Sequence, residues 1–306
     1  MGPRALVGTP YMADPDLRAE YAREIAPRTA RALEKILAAT FPDRTAAGAL
    51  QVLDLGAGTG AAGQAVRDAF GGRVRLVSVD RVAGGAGNLA GDVTDVGRLS
   101  RNVLRGRRFD LIVAAHVLNE LEPDRQSADR PHRLARLVES WCDALLAEGG
   151  TLILVEPALR ETSRVLLGVR DLLLGAGALR VVAPCFFAGP CPALARERDW
   201  CHDAAGTVDF SYLALRRTAS ASPAADPAVF RIVSAPMPEK GRLRFFGCGV
   251  IGRHALVRLD RHESEANREL ANLRRGDVAR VEPTESAADG LRIVADTTVA
   301  RIPSES

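Results

Sequence analysis

Three of the five cysteines of this 306-residue chain lie within seventeen positions, in the segment VVAPCFFAGPCPALARERDWCHDA (181–204). Thiolates act as nucleophiles and as metal ligands, so the spacing of these cysteines indicates which chemistry to expect. Structural zinc sites usually take close pairs of the form C-x2–4-C, whereas the intervals here are C-x5-C and C-x9-C. A loop rich in proline and glycine suits a 4Fe-4S cluster better, because four thiolates must converge around a larger object. We therefore predict that Cys185, Cys191 and Cys201 bind such a cluster, with zinc as the alternative metal.

The fourth thiolate must come from elsewhere in the chain, where two cysteines remain. Cys142 lies beside Trp141 in a predicted amphipathic helix, where a buried structural thiol is the ordinary expectation. Cys248 lies between glycines in FFGCGV at the end of a predicted strand, so its sulfur is available, and we predict Cys248 as the fourth ligand. Cys185 could instead be the Pro-Cys nucleophile of a pyrimidine C5-methyltransferase. In that family the pair follows the strand that is FDLIVAA here, so the position argues against it.

A second group of candidate residues surrounds a glycine-rich turn between a predicted strand and a predicted helix, in VLDLGAGTGAAG. Glycines at such a place let the backbone turn sharply and approach a ligand at the helix N-terminus. The turn contains the G-x-G-x-x-G fingerprint of NAD-binding proteins, but that fingerprint alone is weak. Carboxylates before the turn and after the next strand favour S-adenosylmethionine, because they can accept its cationic methionyl group and its ribose hydroxyls. The predicted S-adenosylmethionine contacts are Asp54, Gly56, Gly58, Gly60, Asp80 and Asp92.

The D-x-G-x-G-x-G pattern of this turn closely resembles motif I of class I methyltransferases. The resemblance implies that the segment after the strand FDLIVAA, which reads HVLNEL here, faces the methyl group that the cofactor transfers. His116 could act as a general base, although a histidine that caps the following helix is the more ordinary interpretation. Asn119 and Glu120 are further candidates, or alternatively turn and helix-start residues. The segment has no Asn-Pro-Pro-Tyr, so nothing supports methylation of an amino group on a nucleic-acid base.

The elements that position these residues alternate between β-rich apolar runs and amphipathic helices, which predicts a parallel α/β sheet covered on both faces. After residue 205 the pattern changes to short strands separated by turn residues. Together with the resemblance of the glycine turn to motif I, this pattern implies a Rossmann-like sheet of the class I S-adenosylmethionine-dependent methyltransferase type. The predicted parts are an N-terminal helical segment (1–45), a methyltransferase-like domain (46–217) with a cysteine loop (184–204), a linker (218–228) and a β-rich C-terminal subdomain (229–306).

Composition and charge indicate the class of protein, its compartment and the kind of partner to expect. The chain is 47% hydrophobic with a mean hydropathy of −0.01, which is typical of a globular protein. It has no apolar run of the ~18 residues that span a bilayer, and its first residues lack the apolar core of a secretory signal. We therefore predict a cytoplasmic protein with no membrane partner. Between Arg216 and Arg280, thirteen Lys and Arg residues stand against seven Asp and Glu residues, which indicates a polyanionic partner.

The cysteine segments carry a resemblance to a known family. The pieces VVAPC, GPCP and DWCH, together with PEKGRLRFFGCG and the later RRGD, strongly resemble the methyltransferase-like assembly-factor family of the mitochondrial small ribosomal subunit, which also has bacterial members. The resemblance extends from RAEY, near residue 20, to RRGD (274–277). Members often carry Ser-Tyr-x-Leu-x-Glu after the fourth strand, where this chain has Ala-His-Val-Leu-Asn-Glu. That difference puts a shared catalytic role in doubt.

The resemblance implies a class I methyltransferase fold, a four-cysteine iron–sulfur cluster and association with small-subunit ribosomal RNA. It implies Cys185, Cys191, Cys201 and Cys248 as the cluster ligands. Two functions follow from it: an enzyme that methylates ribosomal RNA, or a non-catalytic assembly factor with a vestigial cofactor pocket. A small-molecule methyltransferase is the third possibility, although it would explain neither the thiols nor the basic C-terminal part.

Overall fold

The fold was analysed in a computed structural model of the chain. It describes residues 14–42, 48–82, 88–121, 127–187, 189–217 and 226–302. The predicted domain boundary at residues 45 and 46, and residues 218–225 of the predicted linker, lie outside the described residues.

The first sheet has the strand order β3-β2-β1-β4-β5-β8-β6, with β7 paired to β8. The strands from β3 to β5 are parallel, and β8 runs antiparallel between β5 and β6. The middle strands are apolar runs because helices cover both faces of the sheet, so no side of a strand meets water. Its strands are β1 (Leu50–Leu55), β2 (Val74–Asp80), β3 (Leu89–Ala90), β4 (Phe109–Ala115), β5 (Leu146–Pro157), β6 (Leu179–Ala183), β7 (Asp203–Ala205) and β8 (Val208–Arg217).

Helices cover the sheet in two groups. On one face, α2 buries Leu33, Ile36 and Leu37 against α3 and the sheet, and each such side chain contributes roughly 1.5–3 kcal/mol. On the other face, α5 and α6 pack around Trp141, which is fully buried. The helices are α1 (Pro15–Glu24), α2 (Ala26–Thr40), α3 (Ala61–Phe70), the single turn α4 (Val96–Arg98), α5 (Arg130–Leu145) and α6 (Arg160–Gly175).

The second sheet is formed by the C-terminal part of the chain, with the order β14-β15-β12-β11-β9-β13-β16 and with β10 paired to β11. It is antiparallel except for the β12–β15 pair. Phe230, Phe245, Leu256 and Leu270 form its separate core. Its strands are β9 (Val229–Ile232), β10 (Met237–Glu239), β11 (Arg242–Gly249), β12 (Gly252–Leu259), β13 (Val278–Glu282), β14 (Glu285–Ala287), β15 (Gly290–Ile293) and β16 (Thr298–Ile302).

The predicted Rossmann-like sheet and the β-rich C-terminal part are both present. One predicted helix differs in type: the segment ESEANRELANL forms 3-10 turns over Glu265–Asn272. Its start is capped as in a helix, because Ser264 and Asn267 bond reciprocally to each other's backbone. None of the helices in the described ranges is both long and apolar enough to cross a membrane.

Candidate functional site

The glycine turn joins β1 to α3 and forms the floor of a pocket. Gly56, Gly58 and Gly60 have φ angles of +75°, +51° and +81°, in the left-handed region that favours glycine. At Gly56 a Cβ atom would lie 2.6 Å from Cγ2 of Val117, so a side chain there would push the two loops apart. The turn is fixed by the backbone N–H of Gly56, which donates to the Val79 carbonyl at 2.8 Å.

Asp54 and Asp80 hold this turn through backbone hydrogen bonds. An Asp54 oxygen accepts the Gly63 N–H at 2.9 Å, and an Asp80 oxygen accepts the Gly58 N–H at 2.8 Å. Asp54 is buried, and burial raises its pKa to about 7. Both carboxylates therefore shape the glycine turn in addition to lining the pocket beside it.

The pocket lies at the carboxyl ends of β1, β2 and β4, where open α/β sheets usually bind their ligands, and has a volume of about 270 Å³. Of the predicted residues, six line it: Asp54, Gly56, Gly58, Asp80, His116 and Glu120. Gly60, Asp92 and Asn119 are not among its lining residues. Gly60 directly precedes α3, and its N–H closes the turn by donating to the Ala57 carbonyl at 2.7 Å. Asp92 is exposed and bonded to Thr94 at 2.7–2.8 Å, and its neighbour Val93 lines the pocket instead.

The N-terminal helices contribute two lining residues that sequence reasoning missed, Tyr21 and Thr29. Thr29 Oγ1 lies 3.2 Å from Nε2 of His116. Burial raises the pKa of Tyr21, and the nearby carboxylate of Glu120 raises it further. The sequence predicted an N-terminal helical segment, but it gave no signal that these helices close a pocket.

His116 is held in an unusual backbone conformation at the end of β4. Its φ is +61°, and its N–H donates to the Val155 carbonyl at 2.7 Å. Burial lowers its pKa to about 4, so the imidazole is neutral at pH 7. A base with so low a pKa removes protons poorly near neutral pH, which weakens the general-base hypothesis.

Glu156, near the end of β5, supports the loop after β4, which carries the candidate catalytic residues. Its carboxylate accepts the N–H of Leu118 at 2.9 Å and that of Asn119 at 3.2 Å. In the orientation that satisfies its hydrogen bonds, the Asn119 amide nitrogen donates to the His116 carbonyl and to Glu156. The Asn119 side chain therefore stabilises the loop and does not line the pocket. Burial raises the pKa of Glu156 to about 8. The sequence offered no signal for this role, because Glu156 reads as the end of an apolar strand.

The four predicted metal ligands line a second, smaller pocket, with a volume of about 30 Å³. Cys185, Cys191 and Cys201 reach it from the loop after β6, and Cys248 reaches it from the end of β11 in the other sheet. Cys142 is instead packed in the core around α5. All five cysteines are free thiols. The structure therefore brings together the four cysteines that were predicted and keeps the alternative apart.

Helix α6 anchors the cysteine loop through backbone contacts. Arg164 Nη1 donates to the carbonyls of Ala193, Arg196 and Asp199 at 2.6–3.1 Å. Both oxygens of Asp171 accept the N–H of Cys191, at 3.1 and 2.9 Å. A loop with so few elements of its own is thus held in one shape by neighbouring side chains.

Four thiols line this pocket, and thiolates are the donors of both iron–sulfur clusters and zinc sites. Within the described ranges, no three His, Cys, Asp or Glu side chains form a group that could hold a metal ion, so this observation supports neither the cluster nor the zinc alternative. Four thiols nevertheless surround one hollow, and a cluster spreads its ligands because each thiolate binds a different iron. Burial raises the pKa of Cys191 to about 12 and raises the pKa of Cys201. A metal group that binds here would therefore have to displace the protons of these thiols.

The arginine-rich C-terminal part does not present a uniformly positive face, because many of its arginines are paired. Arg242 and Arg244 both contact Glu239. Arg280 contacts Asp226 at 2.6 Å and Glu282 at 3.0 Å. Counting charges along the sequence could not reveal these pairs, since a count does not show which side chains meet: Glu239 lies on β10, whereas Arg242 and Arg244 lie on β11.

A family model described as mitochondrial small ribosomal subunit Rsm22 matches residues 18–278, most of the chain. The chain belongs to this family. The resemblance inferred from the cysteine motifs is thereby confirmed. The strand order of the first sheet, with its antiparallel β8, is that of the class I methyltransferase fold, as expected for this Rsm22 family member.

Other known proteins resemble part of the chain. The ribosomal RNA large subunit methyltransferase E of Xylella fastidiosa is 29% identical over 150 residues, which cover 47% of this chain and 69% of that protein. Among solved structures, the plantazolicin methyltransferase BpumL in complex with SAH is 13% identical with a TM-score of 0.42, covering 68% of this chain and 92% of the other. The fibrillarin of Aeropyrum pernix, with bound S-adenosyl-L-methionine, is 14% identical with a TM-score of 0.37, covering 60% and 75%.

Proposed function

We propose that this Rsm22-family chain binds S-adenosylmethionine and acts on the small ribosomal subunit or its RNA. The observation that carries the proposal is the pocket at the carboxyl ends of β1, β2 and β4, with the glycine turn and two carboxylates on its wall. Asp80 ends the second strand beside the turn, a position from which a carboxylate can accept ribose hydroxyls. The family description supports the ribosomal partner, and the similarity to a ribosomal RNA methyltransferase agrees with an RNA target.

Isothermal titration calorimetry tests the cofactor directly. We expect S-adenosylmethionine to bind with micromolar affinity, and NAD to give no heat at the same concentrations. Heat with NAD and none with S-adenosylmethionine would overturn the cofactor assignment. Maps of modified nucleotides in small-subunit RNA, compared between wild-type and deletion strains, test the methylation of RNA.

A non-catalytic assembly factor is the second candidate, and the environment of His116 favours it. The imidazole is half-buried, its pKa is lowered to about 4, and it contacts Thr29, so no strong base faces the pocket from this position. The two functions separate in one experiment. If Asp54→Ala abolishes cofactor binding while small subunits still mature in cells, the pocket has a structural role; if modification and maturation are lost together, the chain is an enzyme.

We propose further that Cys185, Cys191, Cys201 and Cys248 hold a 4Fe-4S cluster. Three thiols from the loop after β6 and one from β11 of the second sheet line one hollow, and side chains of α6 anchor that loop. When bound, such a cluster supplies a rigid cross-link and a one-electron redox group. Protein purified without oxygen should be brown and contain about four irons per chain. Stoichiometric zinc without iron in the same preparation would overturn this proposal.

A further inference from the structure

Three guanidinium groups line the cysteine pocket, against a single carboxylate. Arg170 comes from α6, Arg231 from β9 and Arg253 from β12, and the carboxylate is that of Asp203. Arg170 is 1% exposed and Arg231 is 5% exposed. A buried cation is costly unless charges and hydrogen bonds compensate it, so two buried guanidinium groups beside the half-buried one of Arg253 require an explanation.

The contacts within the chain compensate these cations only in part. Arg231 is paired with Asp203, and Arg170 donates to the carbonyls of Phe187 and Gly189 and contacts Asp171. Nε of Arg170 is nevertheless buried and donates to no atom of the described chain.

Arg253 is the least compensated of the three. It lies 3.5 Å from Asp199, a long distance for an ion pair, and stacks on Phe246 with 5.1 Å between its guanidinium carbon and the ring centre. Its Nε and Nη1 are both buried without a hydrogen-bond acceptor among the described residues. Positive charge and free N–H donors therefore remain on the wall of the pocket, which suits an anionic occupant.

We propose that Arg170, Arg231 and Arg253 are positioning residues that stabilise the anionic form of a thiolate-ligated iron–sulfur group and set its reduction potential. The inference rests on the proposed function of the four cysteines. Four thiolates outweigh the positive charge of an iron–sulfur core, so the ligated group is an anion and becomes more negative when an electron is added. A nearby cation then stabilises the reduced form more than the oxidised form, and charge and hydrogen bonds near the sulfurs are known determinants of the potential.

Arg253 is the best position for a test, because its loss leaves no fully buried carboxylate unpaired, whereas loss of Arg231 would do so at Asp203. The variants are Arg253→Gln, which removes the charge, and Arg253→Lys, which keeps it. Arg244→Gln is the matched control: Arg244 lies over the same Phe246 ring at 6.0 Å but does not line the pocket. Asp199→Asn supplies the opposite change, since it removes the negative charge that is paired with Arg253.

The measurements use full-length protein purified without oxygen: a redox titration followed by visible absorbance, and the rate of iron release to a chelator. We expect Arg253→Gln to have a more negative midpoint potential than wild type and to release iron several-fold faster. Arg253→Lys should restore most of both properties, Arg244→Gln should match wild type, and Asp199→Asn should shift the potential in the positive direction.

The outcomes distinguish this inference from the cluster proposal on which it rests. If wild-type protein binds no iron, the cluster proposal fails and this inference fails with it. If wild type binds iron but Arg253→Gln and Asp199→Asn both retain the wild-type potential and release rate, only the role of the arginines is overturned.

Discussion

Arg231 of the second sheet and Asp203 of the first form a buried ion pair, with 2.5 Å between Nη2 and Oδ2. The other oxygen of Asp203 accepts a hydrogen bond from Lys35 of α2 at 2.9 Å. One buried carboxylate thus joins the N-terminal helices, the strand after the cysteine loop and the C-terminal sheet. Gly276 lies so close to this group that a Cβ atom would meet an Asp203 oxygen at 2.8 Å. The pair therefore fixes how the C-terminal sheet docks on the rest of the chain.

Breaking this pair should destabilise the protein strongly. Arg231→Met leaves Asp203 buried with Lys35 as its remaining cation, and the loss of one partner of a buried pair costs about 3–5 kcal/mol. The double variant Arg231→Met with Asp203→Asn should cost less than the sum of the single variants, since neither charge is then left alone. Urea unfolding followed by tryptophan fluorescence measures each difference.

The control for this cycle is an exposed pair, Arg268 with Glu265, whose side chains are 70% and 80% exposed. Arg268→Met should change the free energy of unfolding by less than about 1 kcal/mol. Equal costs for Arg231→Met and Arg268→Met would show that the buried pair does not hold the two sheets together.

The choice of the fourth cysteine predicts opposite results for two serine variants. Cys248→Ser should lose the iron and the brown colour, because it removes a thiol that lines the pocket. Cys142→Ser should keep both, since Cys142 lies in the core around α5 and its loss affects only packing. Iron analysis and visible spectra of both variants, prepared without oxygen, decide the matter. Iron retained in Cys248→Ser and lost in Cys142→Ser would mean that the wrong ligand was chosen.

Two aspartates should contribute very differently to cofactor affinity. Asp80→Ala should weaken S-adenosylmethionine binding by roughly 1–3 kcal/mol, because a charged acceptor at the pocket wall is lost. Asp92→Ala should have a smaller effect, since Asp92 is exposed and bonded to Thr94. Calorimetry on both variants measures the two affinities. A larger loss for Asp92→Ala would restore Asp92 as the cofactor contact that the sequence predicted and would require its loop to move on binding.

The sequence predicted the parts of the site that depend on local pattern. The sequence alone indicates the glycine turn between a strand and a helix, the position of Asp80 at the end of a strand, and the thiol of Cys248 between glycines. Tyr21 and Glu156 could not be found in this way. Each acts through contacts with segments far along the chain, and no spacing rule encodes such contacts. The role of Arg231 could not be predicted either, because in the sequence it is one of many arginines in the basic C-terminal part.

Glu156 should make stability depend on pH. Its folded pKa is raised to about 8 by burial, above the ordinary value of 4.5, so the folded chain keeps a proton that the unfolded chain has lost. Its contribution is therefore fully present below about pH 4.5, falls as pH rises, by up to ~1.4 kcal/mol per pH unit, and is lost above about pH 8.

Glu156→Gln should remove this part of the pH dependence while costing roughly 1–3 kcal/mol, because its amide cannot accept both backbone N–H groups of the loop. Urea unfolding at several pH values between 5 and 9 measures the two slopes. If wild type and Glu156→Gln lose stability in parallel across this range, the buried carboxyl is ionised throughout and the role given to it is wrong.

The last prediction concerns how the cysteine pocket affects RNA binding. Cys248 lies at the end of β11 in the second sheet, whereas the other three thiols belong to a loop attached to the first sheet. Ligation of all four to one group would cross-link positions 47 residues apart along the chain (248 − 201), and closing a loop of that length is otherwise entropically costly. Cys248→Ser should therefore loosen the C-terminal sheet and weaken the affinity for small-subunit RNA, although no side chain that contacts RNA changes.

Filter binding with wild-type and Cys248→Ser protein at several salt concentrations tests this, with Cys142→Ser as the matched control. Affinity should fall with salt in every case, because phosphate contacts release counterions. Equal affinities of Cys248→Ser and Cys142→Ser would exclude a mechanical role for the pocket, and salt-independent binding would exclude RNA recognition by the arginines.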